Sequence, residues 1–149
     1  MNSRRDICSD VAAILHPTPS PELAQEDEAG FSMAEQHAIE DRCRAAEELR
    51  LAWEEGGIDP VVSALANARR AKEAAEQKIR ELLAYGREFV QPRPYTLGDL
   101  AAAAGMSISG VRTAYNHGDV DAVSDATGAK PREWRAQDPE PHSPGGERA

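Results

Sequence analysis

Residues 96–116 read TLGDLAAAAGMSISGVRTAYN, and this stretch decides the fold. Thr96 is followed three residues later by Asp99, a spacing that predicts a helix N-terminus at Thr96. Gly105 favours a left-handed turn and ends that helix. The sequence therefore predicts a short helix over residues 97–104.

A second helix is predicted directly after this turn. Ser107 is placed to cap it, so we expect a helix from Ile108 to about His117. Two helices joined by a short turn that contains glycine form a helix-turn-helix. The small side chain of Ala101 fits this motif, because a larger one would push the two helices apart. The apolar residues expected to hold the crossing are Leu100, Ala104, Met106, Val111 and Ala114.

This stretch resembles the DNA-binding headpiece of the lac repressor family. The resemblance covers about 25 of the 149 residues and stops there, so the small-molecule sensing of that family does not carry over. A helix-turn-helix shared with sigma factors and phage regulators is the other interpretation. The resemblance implies that the second helix lies in the major groove of DNA. The matching residues are Thr96, Leu97, Asp99, Ala101, Ala104, Gly105, Ser107, Val111 and Asn116.

Candidate DNA contacts follow from that docking geometry. The N-terminal residues of the second helix would face base edges, and Arg112 can form a bidentate contact with guanine. Arg93 and Tyr95, just upstream, are candidates for contacts with the DNA backbone. The alternative is that both are solvated surface residues without a DNA contact. The candidate DNA-binding residues are Ser107, Ile108, Ser109, Arg112, Thr113, Asn116, Arg93 and Tyr95, of which Ser107 and Asn116 are expected nearer the phosphates.

The charge distribution permits a nucleic-acid partner although the whole chain is acidic. The formal net charge is −9 at pH 7. Residues 1–60 carry 5 basic and 14 acidic side chains, whereas residues 61–115 carry 8 basic and 5 acidic ones. The region that contains the motif is therefore a weakly basic island between acidic ends.

Two long helices are predicted before the motif. Ser32 and Glu35 form a capping box, which predicts a helix that starts just after Ser32 and ends at Gly56. Pro60, preceded by an aspartate, is typical of the first position of another helix, which runs to about Tyr85 or Phe89.

We expect these two helices to form a hairpin over residues 32–89. The hairpin closes within one chain or is completed by a second copy, and we expect a homodimer because two linked DNA-binding units gain avidity. The acidic first helix could instead fold back on the basic island. The second helix has a heptad-like register, but Lys72 and the alanines make this seam weak for a free-standing coiled coil, so a hairpin is the favoured interpretation. The register residues are Leu65, Ala68, Lys72, Ala75, Ile79, Leu82, Gly86 and Phe89.

The remaining segments flank this core. Residues 1–31 are predicted to be disordered, or to hold a short helix that packs on its own domain or docks on a protein partner through residues 4–15, followed by a proline-rich acidic linker. The DNA-binding module spans residues 90–128. Residues 129–149 are predicted to be a disordered tail with Trp134 as its one large apolar residue.

The sequence shows no pattern typical of an enzyme. The two cysteines, Cys8 and Cys43, and the four histidines lack the spacing of a zinc site or a disulfide framework. A glycine-rich phosphate loop is missing too, so we predict no catalytic activity, cofactor or metal. The apolar run near the N-terminus is too short for a signal peptide or a membrane span.

Together these patterns predict an all-α protein with a long helical hairpin, a small helix-turn-helix module and disordered termini. The expected function is that of a cytoplasmic, nucleoid-associated regulator or accessory factor of transcription, with a phage or mobile element as a candidate source. It would bind double-stranded DNA with full or partial sequence specificity. The alternative is a protein–protein adaptor that binds a regulator or a polymerase through its acidic helix and N-terminal peptide.

Overall fold

A computed structural model of the protein describes residues 6–132. Over this range the chain forms seven α-helices and no β-strand, which confirms the predicted all-α class. The chain divides into two compact units between Lys72 and Glu73, and this boundary lies inside one long helix. The helices are α1 (Ile7–Leu15), α2 (Pro21–Glu26), α3 (Glu28–Gly56), α4 (Pro60–Glu88), α5 (Leu97–Ala104), α6 (Ile108–Thr113) and α7 (His117–Thr127).

The first unit is built along α3. Helix α1 packs on α3 and buries Cys8, Val11 and Ala12. Two arginines of α3 hold the N-terminal arm in place. The guanidinium of Arg42 donates to the carbonyl oxygen of His16 at 2.6 Å, and that of Arg50 pairs with Asp6 at 2.8 Å. Of the two expectations for the N-terminal helix, the structure therefore shows the one in which it packs on its own domain.

The segment between α1 and α3 differs from the predicted linker. Ser20 caps α2 by accepting a hydrogen bond from the amide of Glu22, with Pro21 at the first helical position. Helix α3 then begins at Glu28, because Asp27 accepts from the amide of Gly30 at 2.9 Å and serves as the N-cap. The predicted start after Ser32 is therefore late by more than one turn.

Helix α4 has the predicted ends. The carboxylate of Asp59 accepts from the amides of Val61 and Val62 at 2.9 and 3.0 Å, which caps the helix that starts at Pro60. Every residue from 65 to 76 is exposed. The heptad-register residues in this stretch are therefore not covered by any residue in the described range.

The second unit combines the last turns of α4 with α5, α6 and α7. Helix α4 supplies core side chains to this unit, upstream of residue 90, where the sequence predicts that the DNA-binding module begins. One buried cluster consists of Leu83, Ala101 and Val111, and a second consists of Ala84, Phe89 and Val123.

No helix within residues 6–132 has both the length and the apolar character needed to cross a bilayer. Residues 133–149, which include Trp134 and most of the predicted tail, lie outside the described range, as do residues 1–5.

Candidate nucleic-acid interface

The turn between α5 and α6 is formed as the sequence predicts. The hydroxyl of Thr96 accepts from the amide of Asp99 at 3.1 Å and donates to its carboxylate at 2.7 Å, which fixes the start of α5. Gly105 ends α5 in the left-handed region, with φ at 65°. The amide of Met106 then donates to the carbonyl oxygen of Ala101 at 3.0 Å and closes the turn.

Helix α6 is held by one cap and one buried side chain. The hydroxyl of Ser107 accepts from the amide of Gly110 at 3.0 Å. Val111 is fully buried and packs in the same cluster as Ala101, so the small alanine lies at the helix crossing. Met106, expected in this core, is instead 37% exposed, because it lies in the turn rather than on either helix.

Because Gly105 has a positive φ, its replacement tests the turn. A Cβ at this position meets no atom within 4 Å, so the cost of Gly105→Ala comes from the backbone alone, about 1–2 kcal/mol of unfolding free energy. Gly98→Ala, at an exposed position in α5, is the matched control and should leave stability unchanged or slightly raise it. Urea unfolding of both variants measures the difference; equal effects would contradict the left-handed turn.

The outer face of α6 contains four of the predicted contact residues. Ile108, Ser109, Arg112 and Thr113 are all exposed, on the side of the helix opposite to Val111. Their placement follows from the helical period. Ile108 and Arg112, and likewise Ser109 and Thr113, are four residues apart, and both pairs lie on the side of the helix away from the buried valine. The structure therefore brings these four side chains together on one solvent-facing surface.

Arg112 is the basic group of this surface. Within residues 6–132 its guanidinium forms no ion pair, so its donors face solvent. The hydroxyl of Thr113 donates to the carbonyl oxygen of Ser109 at 3.2 Å, within the helix. The outer surface of α6 thus presents the guanidinium of Arg112, the hydroxyl groups of Ser109 and Thr113, and the apolar side chain of Ile108.

Asn116, predicted near the DNA phosphates, is the N-cap of a further helix. Helix α6 ends at Thr113, and α7 begins at His117 with Asn116 as its N-cap. The side-chain oxygen of Asn116 accepts from the amide of Asp119 at 3.2 Å, while the carboxylate of Asp119 accepts from the amide of Asn116 at 3.0 Å. This capping box ends the predicted helix early and adds α7, which was not predicted.

Asp119 also attaches α7 to α4. The side-chain amide of Gln77 donates to the carboxylate of Asp119 at 2.9 Å, and the guanidinium of Arg80 lies 3.7 Å from the same carboxylate. The backbone hydrogen bond from Asn116, with smaller contributions from Gln77 and Arg80, lowers the pKa of Asp119 despite the opposing effect of burial. The charged form of this buried carboxylate is therefore the one that the fold stabilises.

A second polar contact fixes the corner between α6 and α7. The hydroxyl of Tyr115 donates to the carboxylate of Glu88, which is buried, at 2.5 Å. The backbone amide of Arg132 donates to the carbonyl oxygen of Glu88 at 2.6 Å. The end of α4 thus holds both the entrance to α7 and the chain that leaves it.

The two upstream candidates lie on the segment between α4 and α5. The amide of Tyr95 donates to the carbonyl oxygen of Gly86 at 3.1 Å, and Arg87 donates to the carbonyl oxygen of Tyr95 at 2.8 Å. The ring of Tyr95 is largely exposed, as is Arg93. The backbone of Tyr95 is therefore held by α4.

Comparison of the chain with protein-family models, with curated proteins and with solved structures finds no match. Among the described residues, no three or more His, Cys, Asp or Glu side chains are grouped so that they could hold a metal ion.

Proposed function

We propose that this protein binds double-stranded DNA and acts as a regulator or accessory factor of transcription, with α6 in the major groove. One observation supports this proposal most strongly. A helix whose inner side is locked by the buried Val111 presents Ile108, Ser109, Arg112 and Thr113 together on its outer side. A short helix placed in this way after a tight turn is the arrangement by which helix-turn-helix proteins read DNA.

The chemistry of the α6 surface suits partial rather than strict sequence specificity. Arg112 has the donors for a bidentate contact with guanine, and hydroxyl groups such as that of Ser109 pair with several base edges. Ile108 is suited to an apolar contact with the methyl group of thymine. One guanine-reading residue and several tolerant ones therefore favour a preference at few positions.

Replacement of Arg112 tests this proposal. Arg112→Ala should weaken binding to a duplex selected from a random pool by about 1–3 kcal/mol, roughly 5- to 150-fold, with folding unchanged. Fluorescence anisotropy at fixed salt measures the affinity. Arg44→Ala is the matched control, because it also removes one exposed positive charge but lies on α3.

Equal affinities of the Arg112 variant and the parent would contradict the assignment of α6 to the groove. The salt dependence gives a second readout, because a lost phosphate contact lowers the salt slope whereas a lost base contact relaxes sequence preference. A parent chain with no salt-dependent affinity for any duplex would reject DNA binding itself.

The proposal includes a homodimer. A single helix-turn-helix unit binds non-specific DNA at roughly 10⁻⁴ to 10⁻⁶ M in physiological salt, and coupling two units adds avidity. For the adaptor alternative, α1 is already attached to α3 by the buried Cys8, Val11 and Ala12 and by the pair of Asp6 with Arg50, whereas Ile14 remains exposed.

A further inference from the structure

The second unit has a largely apolar open channel along α4, lined in part by the core residues Leu83 and Val123 and also by Lys78 and Glu81. An open cavity of about 420 Å³ lies between α4 and α7, and a second cavity lies between α4 and α5. Leu82 lines both cavities and is 67% exposed. The channel therefore has Leu82 on its floor and one helix on either side. Its walls include Ala103 and Ala104 on α5, and Val123 and Ala126 on α7.

These walls are suited to a helix as occupant. Three of the six residues that α5 and α7 contribute to the two cavities are alanines, whose short side chains let another backbone approach closely. The floor is itself a helix, and a second helix packs on such a surface by placing its side chains between those of the first. An exposed apolar channel of this kind is typical of an interaction site.

The same helix carries an apolar stripe at its other end. Leu65 is 65% exposed, and Ala68 and Ala75 are exposed as well. Together with Ile79 and Leu82 they follow a pattern with alternating spacings of three and four residues, in which Lys72 is the one position that is not apolar. This spacing places them along one seam of α4. One end of the seam is thus a bare apolar ridge, while the other end is the channel floor.

We infer that a second copy of this chain fills the channel with the first half of its own α4, the two helices running antiparallel. The seam is self-complementary in this arrangement, since Leu65 of each copy meets Leu82 of the other and Ala68 meets Ile79. A two-fold axis near the middle of α4 then forms both contacts twice, as an isologous interface requires. This inference rests on the homodimer in the proposed function and identifies its surface.

Charge distinguishes the antiparallel pairing from the parallel one. In a parallel pair Lys72 would face Lys72 of the second copy within the seam, which places two like charges together. In the antiparallel pair Lys72 faces Ala75 instead. The flanking Arg69 then lies beside Glu76 of the second copy, a charge of opposite sign.

Cross-linking tests this geometry in the full-length chain. Cys43→Ser removes the exposed native thiol, while Cys8 is buried. In that background the double variant Leu65→Cys, Leu82→Cys should form a covalent dimer with a short bismaleimide. Neither single variant should do so, because identical positions lie far apart in an antiparallel pair. Within one chain the two positions are about 26 Å apart along the helix, so no intramolecular link can form.

Cross-linking of a single variant would show a parallel pair and overturn the inference, and so would failure of the double variant to cross-link. Light scattering gives an independent measurement. The parent should have twice the 16.1 kDa chain mass, and Leu82→Glu should have the mass of one chain. Ile14→Glu, which replaces a residue 78% exposed on α1, is the matched control and should remain dimeric.

The mass measurement tests the inferred interface, and the affinity measurement tests the proposed DNA binding, so the two can be contradicted separately. A monomeric parent, or a Leu82→Glu variant that remains dimeric, overturns the inferred interface. DNA binding through Arg112 is tested independently by the anisotropy measurement. A dimer with the expected cross-link but without affinity for DNA confirms the interface and rejects the proposed function. A dimer that Ile14→Glu dissociates shows that a different surface pairs the chains and overturns the inference.

Discussion

Replacing Asp119 by alanine should lower the free energy of unfolding by about 2–4 kcal/mol. The change removes one half of the capping box with Asn116 and the buried hydrogen bond from Gln77, and leaves Arg80 without its nearby carboxylate. The start of α7 then loses its attachment to α4. Asp121→Ala, an exposed carboxylate on the same helix, is the matched control and should change stability by less than about 0.5 kcal/mol.

The acid dependence of stability is the second readout for Asp119. Its pKa is lowered in the folded state, mainly by the backbone amide of Asn116, so its stabilising contribution is fully present above the unfolded value of 3.8. That contribution is lost as the pH falls through the folded pKa. Urea unfolding from pH 7 to below pH 4 should therefore show a steeper acid loss for the parent than for Asp119→Ala. Parallel curves would contradict the stabilised carboxylate.

Ala101→Leu should have the other large effect, a loss of about 1–3 kcal/mol of unfolding free energy. Ala101 lies with Val111 and Leu83 in a cluster that leaves no room for three more carbon atoms without separating α5 from α6. On the proposed function, the displaced α6 also loses DNA affinity. Ala102→Leu, one residue further along α5 and exposed, should change neither property.

Thermal unfolding and anisotropy of both variants test this prediction. An Ala101→Leu protein with the melting temperature and the affinity of the parent would show that the crossing is not tight. A loss shared equally by Ala102→Leu would show an effect of leucine in α5 rather than of packing.

The elements whose ends carry local signals could be predicted from sequence. Thr96 and Gly105 bracket α5 with a cap and a left-handed turn, and Pro60 marks the start of α4, because each of these effects depends on neighbouring residues only. The exposure of Arg112 could also be predicted from neighbouring residues, since the helical period places it on a different side of α6 from Val111.

Other elements had signals that competed. Asp27 and Ser32 are both good helix caps, and the packing of α2 on α3 accompanies the earlier start. Asn116 and Asp119 form a readable capping box, but the resemblance placed Asn116 beside a phosphate, and α7 was missed.

Long-range packing accounts for the rest. The contacts that bring Leu83 of α4 beside Ala101 of α5 join residues far apart in sequence, and the period of α4 alone does not reveal them. The seam through Leu65 and Leu82 was visible as a register, but the channel around Leu82 depends on α5 and α7.

On the proposed function, the shortness of α6 limits the number of base pairs that one copy can read. With six residues, α6 is about 9 Å long, and since base pairs stack 3.4 Å apart, it spans about three of them. The start of α7 at His117 prevents any extension. A three-base-pair sequence recurs throughout any chromosome, so on the proposed function a DNA site would be selected by two such sequences at a fixed separation, one for each copy of the proposed dimer.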